Sequence, residues 1–145
     1  MVRIKGSKGV VDVKLVNMAN VLRFLRKKGQ DIKDGSDLGT FRAANFVQEE
    51  VQQSILGNRA EAKSVATGRL ADSISLNKVE DSHYVVFPRR ISYPGGQTTE
   101  DVAKIIEFSP SIKGGPRRHF ENTKDRTKDK VRKEIQRAIK LASKI

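Results

Sequence analysis

The stretch Ile74-Ser75-Leu76-Asn77-Lys78-Val79-Glu80-Asp81-Ser82-His83-Tyr84-Val85-Val86-Phe87-Pro88 decides the fold. Ile74, Leu76 and, less strictly, Val79 alternate with polar residues, and Glu80-Asp81-Ser82 supplies a polar turn. Tyr84-Val85-Val86-Phe87 then returns as a strand that Pro88 stops, because proline cannot donate to a ladder. The pattern is an antiparallel β-hairpin.

Upstream, Val11, Val13 and Leu15 alternate with Asp12 and Lys14 as a short half-buried strand, and residues 1–8 are expected as a flexible arm. Asn17 can cap a helix with Met18, Val21, Leu22 and Leu25 on one face and Arg23, Arg26, Lys27 and Lys28 on the other; Gly29 ends it. Asp31 to Gly35 reads as a turn. A second helix runs from Ser36 or Asp37 to about Leu56, with Phe41, Ala44, Val47, Val51 and Ile55 along one stripe. Residues 58–66 carry no clear stripe and read as a loop or weak helix. Thr67 can cap a short helical turn that points Leu70 and Ile74 inward.

Downstream of the hairpin, Arg89 to Gln97 contains Arg-Arg, Tyr-Pro and Gly-Gly and reads as a long exposed loop. Thr98-x-x-Asp101 or Thr99 opens a short helix whose Ala103, Ile106 and, less strictly, Phe108 face the core. Ser109 to Pro116 is a second loop. From Arg117 or Phe120 a helix follows with a narrow stripe of Thr127, Val131, Ile135, Ala138, Ile139 and Ala142, roughly 35 Å long at ~1.5 Å per residue. So thin a stripe on so long a rod suits packing against a neighbour's surface as well as its own core. The sum is a single α+β domain over residues 1–145. A small antiparallel sheet with a central hairpin is packed by two helices from the N-terminal half and a long C-terminal helix.

Composition narrows the function. The chain has 145 residues, no cysteine and two histidines, far apart, so it offers no disulfide framework, no thiolate metal site and no histidine cluster. No apolar run approaches the ~20 residues of a spanning helix, and Met1 to Gly6 lacks a secretory apolar core. The net charge is +12. Residues 1–28 hold eight Lys/Arg and one Asp, net +7; residues 116–145 hold eleven Lys/Arg and four Asp/Glu, also net +7; the middle is left at −2. Two basic ends suit nucleic acid or an acidic protein, or simply keep a small protein soluble.

Catalytic readings find little to stand on. Ser73, Ser75, Ser82 and Ser92 sit in no nucleophile turn; His83 follows a turn and is expected to face solvent; His119, among Arg117, Arg118 and Phe120, suits contact better than chemistry. Gly95-Gly96 and Gly114-Gly115 lack the Gly-Lys-Ser/Thr element of a phosphate loop. The carboxylates of Glu49-Glu50 and of Glu100-Asp101 are adjacent in sequence and diverge on a helix. No cofactor or metal site is expected. A small basic nucleic-acid-binding protein is the alternative class, although no zinc-finger spacing or aromatic RNA-binding signature accompanies the charge.

Two short signatures bracket the hairpin. The run Thr67-Gly68-Arg69-Leu70-Ala71-Asp72-Ser73-Ile74 resembles the T-G-x-L-x-x-S-I element of the head–tail joining, neck or minor tail-component family of long-tailed phages, typified by the gene-product-ten protein of the HK lambdoid phages. Val102-Ala103-Lys104-Ile105-Ile106-Glu107-Phe108-Ser109 resembles that family's Y-A-x-x-V-E-F-G-T element, with Val102 replacing the tyrosine and Ser109 the glycine. Pro116-Arg117-Arg118-His119-Phe120 is similar to its R-P-F or P-F-L segment before a C-terminal helix, and the likeness runs from about Phe41 to the C-terminus. The signature positions are Thr67, Gly68, Leu70, Ser73, Ile74, Ala103, Glu107 and Phe108.

The resemblance implies an α+β structural virion protein at the head–tail junction, assembled in the host cytoplasm and without enzymatic activity. It implies a homo-oligomeric ring around the DNA channel that meets neighbouring neck, connector and tail-tube proteins, and it allows non-specific contact with DNA. The implied contacts lie on the two loops, at Arg89, Arg90, Tyr93, Arg117, Arg118, His119 and Phe120.

Overall fold

The computed structural model describes residues 2–7, 9–15, 30–63, 68–110 and 115–143. The helix expected over residues 17–28 and the capping residue Thr67 lie outside the described residues. The fold is α+β. Strands β1 (Val2–Ser7) and β2 (Val10–Leu15) form one hairpin, β3 (Ile74–Glu80) and β4 (His83–Pro88) a second. Pairing of β2 with β4 joins them into an antiparallel sheet of order β1-β2-β4-β3. The described helices are α1 (Gln30–Ile55), α2 (Arg69–Ser73), α3 (Thr99–Phe108) and α4 (His119–Ala142).

The central hairpin has the expected register, with Leu76 opposite Val86 and Ile74 opposite Pro88. Its turn is pinned from outside. Ser82 adopts a left-handed φ of 57°, and its N–H donates to Asp37 Oδ1 of α1 at 2.8 Å. Asp37 Oδ2 accepts from Lys78 Nζ at 3.0 Å and from the Tyr84 hydroxyl at 2.9 Å, so one helical carboxylate ties down both strands. The period-2 alternation sends Val11, Val13, Ile74, Tyr84 and Val86 into one cluster with Ala43, Ala44, Val47, Val51 and Ile55 of α1 and Val131 and Ile135 of α4. Arg3, Lys5, Lys14 and Val85 are exposed or half-buried on the other side of the pleat.

Several expectations need correcting. Residues 2–7 are a paired edge strand and not a flexible arm: Val2 and Ile4 pack against the core between exposed Arg3 and Lys5. Residues 31–35 are helical, so α1 begins at Gln30, with Ile32 fully buried and Ser36 Oγ donating to the Ile32 carbonyl at 2.9 Å. Phe41 leaves the α1 stripe; it is 41% exposed and tilts against the Tyr84 ring at 5.7 Å. Phe108 points out and is 50% exposed, whereas Ala103 and Ile106 are buried as expected.

The C-terminal stripe is completed within the chain. Thr123, Thr127, Val131, Ile135 and Ala138 are buried, and α4 makes its largest contact with α1. The two helices run antiparallel and very close. A Cβ on Gly35 would stand 2.5 Å from the Ala142 Cβ, and one on Gly39 2.6 Å from the Ala138 Cβ. Glycine and alanine at four-residue spacing let the backbones meet, which is why a polar-looking stretch of α1 is interior.

Candidate functional site

The second and third signature segments meet at the first turn of α4, and the first reaches the second where α2 contacts α3. Gly68 caps α2 with φ of 72°, a left-handed conformation that suits glycine, and Leu70, Ser73 and Ile74 are buried behind it. Ser73 Oγ donates to the Leu70 carbonyl at 2.6 Å, and the Ser73 carbonyl accepts from Arg89 N–H at 2.7 Å, fixing where the hairpin leaves. Thr98 and Asp101 cap α3 reciprocally, as their spacing predicts.

Glu107, near the end of α3, caps α4. Its Oε1 accepts from Phe120 N–H and its Oε2 from Glu121 N–H, each at 3.0 Å. These are two of the four donors that a helix start leaves unpaired, and Arg118 at the cap position offers no side-chain bond. Burial pushes the Glu107 carboxyl pKa up, and the two N–H donors oppose that shift. Arg117 N–H donates to the Ile106 carbonyl at 2.8 Å, so the second signature grips the third through main chain as well.

One turn further in, a polar cluster is buried. Ser54 Oγ of α1 donates to Glu61 Oε1 at 2.5 Å and lies 2.7 Å from His119 Nδ1. Arg126 grips Glu61 with two bonds of 2.7 and 2.8 Å, and Asn122 adds one of 3.2 Å. Burial alone would raise the Glu61 pKa, but the bonds from Arg126, Ser54 and Asn122 hold it at about 2. Burial lowers the His119 pKa to about 4 despite nearby Glu61. Serine stands between acid and base here. With the only hydroxyl proton given to Glu61, the short contact to His119 requires Nδ1–H as donor, so this histidine cannot take the serine proton. A catalytic triad places the histidine in the middle. The cluster ties α1, the following loop and α4 together.

The residues expected at partner contacts separate into groups. Arg89, Arg90 and Arg118 are exposed; Tyr93 and Arg117 are half-buried; His119 and Phe120 are each 2% exposed, so their side chains serve the interior and not a surface. The two arginine-bearing segments are anchored on α3 at Thr99 and at Ile106, ~10 Å apart by helical rise. The loop from Arg89 is more tightly held than its glycines suggest. Thr99 Oγ1 accepts from Ile91 N–H at 2.9 Å and donates to the Arg89 carbonyl at 2.5 Å, and Tyr93 N–H reaches the Gln97 carbonyl at 2.6 Å. The Arg69 guanidinium stacks 5.1 Å from the Tyr93 ring centroid. His83 is not turned to solvent as expected: its Nε2 lies 2.7 Å from Asp12 Oδ1 across the β2–β4 pair.

Ile105 and Phe108, three residues apart on α3, are 44% and 50% exposed between the two segments. Among the described residues no three His, Cys, Asp or Glu side chains gather as a metal cluster, and no helix is long and apolar enough to cross a membrane. Sequence reasoning missed the Ser54–Glu61–Arg126 cluster, for which Glu61 in an Ala-Glu-Ala run gives no periodic signal. Compared with family models, curated proteins and solved structures, the chain finds no significant match.

Proposed function

We propose that this chain is a structural virion protein of a tailed phage, a neck or tail-completion subunit that forms a ring at the head–tail junction and helps join the tail to the DNA-filled head. The observation that carries the reading is the ordered set of signatures at Thr67–Ile74, Val102–Ser109 and Pro116–Phe120 around one hairpin. Their interlocking supports it: the glutamate of the second caps the helix that the third begins.

Ring closure needs two unlike surfaces on each subunit. The segments with Arg89 and Arg90 at one end of α3 and Arg117 and Arg118 beyond its other end, with exposed Ile105 and Phe108 between them, are the candidate surfaces. Neighbouring neck and tail-tube proteins are then the partners above and below. Peptide mass mapping of purified particles of the encoding virus, together with a deletion of the gene, tests the reading. The protein is expected in the particle, and its loss is expected to leave filled heads and separate tails. Absence from particles, with normal joining after deletion, overturns it.

A further inference from the structure

The flank of α4 beside α1 carries an unusual line of charge. Arg126, Lys130, Lys133, Arg137 and Lys140 are spaced four, three, four and three residues apart, and all five are exposed. That spacing keeps them on one side of a helix over about 21 Å of axis at ~1.5 Å per residue. The nearby acidic residues Asp125, Asp129 and Glu134 fall off the line. A merely solvating surface intersperses both signs; here every position of the line is cationic. Arg126 is neutralised at one end by Glu61, and Arg137 approaches Glu134 at 3.6 Å. Lys130, Lys133 and Lys140 have no ion pair among the described residues. Lys130 lies 4.0 Å from the Phe46 ring centroid, and exposed Arg42 of α1 lines the same cleft together with Glu134.

We propose that this stripe binds the phosphate backbone of duplex nucleic acid without reading its sequence. A regularly spaced row of cations suits a regularly spaced row of anions. One DNA strand presents a phosphate about every 3.4 Å of axis and winds around it, so the ~21 Å row meets only part of the roughly six phosphates in that length. An acidic protein surface offers no such regularity. Lys and Arg are the only residues in the row, so backbone contact is its chemistry and base-edge discrimination is not. The inference rests on charge geometry and not on the virion reading, so either can fail alone.

The test is fluorescence anisotropy of the full chain with a labelled duplex of about 20 base pairs, in two unrelated sequences, from 50 to 200 mM salt. Both sequences are expected to bind equally, with log K falling against log salt at a slope of about −3 to −4.5, as release of counterions from three to five phosphates requires. Lys130→Gln/Lys133→Gln/Lys140→Gln is expected to weaken binding at least tenfold and to flatten the slope by about 3. Arg89→Gln/Arg90→Gln is expected to bind like the parent chain. Should the triple variant lose its circular dichroism spectrum, Lys133→Gln/Lys140→Gln with a slope change of about 2 decides instead. Undetectable binding at 50 mM salt, or parental binding by the folded variant, overturns the proposal. Poly-glutamate displacing the duplex as well as unlabelled DNA of equal charge overturns the choice of nucleic acid.

Discussion

Glu107 shows how one side chain can hold two chain segments in register. Its carboxylate accepts two main-chain donors at the start of α4, thirteen and fourteen residues ahead. Glu107→Gln keeps the shape but turns one acceptor into a donor that faces an N–H. It is expected to cost about 1–3 kcal/mol, the range for stranding a buried donor, read as a lower urea midpoint at unchanged m-value. His119 makes the matching pH argument. Burial holds its pKa near 4 in the fold, against the ordinary 6.5 when unfolded, so between those values the unfolded chain binds the extra proton. Stability is therefore complete above pH 6.5 and is lost as pH falls towards 4, by up to about 1.4 kcal/mol per pH unit. Glu61, depressed from 4.5 to about 2, adds a second loss as pH falls between those two values. Urea titrations from pH 8 to 4.5 should show the first slope in the parent chain and a flatter one in His119→Gln; equal slopes would assign it to other groups. None of these roles was legible in the sequence. Glu107 stood out only as a letter of a signature, and the partners of His119 lie 58 and 65 residues away.

At the scale of elements, local pattern and tertiary packing divided the work. The β3–β4 hairpin and the capping box at Thr98 were legible because alternation, turn and cap are all short-range. The start of α1 was not, since Asp31-Ile32-Lys33-Asp34-Gly35 has the composition of a turn and is helical because α4 covers it. Gly39 gives the sharpest test. In an isolated helix Gly→Ala gains about 1 kcal/mol of propensity. Here the new Cβ would lie 2.6 Å from that of Ala138 and 3.5 Å from the Ile135 Cα, so one helix must shift. Overpacking of this kind costs about 1–3 kcal/mol, and we expect Gly39→Ala to lower the thermal midpoint despite the propensity gain. Pairing it with Ala138→Gly should recover much of the loss; additivity in that double-mutant cycle would deny the close approach. Strand β1 gives a second test. A flexible arm could be removed without effect, whereas deletion of residues 2–7 would uncover β2 and one flank of α4. Lowered stability is the expected result, measured by urea unfolding.

For the whole molecule, the fold rearranges what the linear charge map suggested. The sequence places two basic ends far apart around a near-neutral middle; the structure sets β1 beside α4 and leaves the middle to supply the hairpin and α3. A neighbour is not needed to complete α4, because α1 fills that place. In the proposed ring, the exposed side of α3 is one surface open to a neighbour, and it yields the last prediction. Phe108 is 50% exposed and Ile105 44%, so Phe108→Glu and Ile105→Glu remove little buried area from the monomer. Surface changes of that kind usually alter stability by less than about 0.5 kcal/mol. If α3 faces the next subunit of a ring, the same substitutions put an unpaired charge into an apolar contact, which costs far more. Sedimentation velocity of the parent chain at rising concentration should then show a closed oligomer. The Phe108→Glu chain should sediment as a monomer with an unchanged thermal midpoint. A variant that assembles normally would move the contact off α3. A variant that unfolds would place Phe108 in the core, against its exposure.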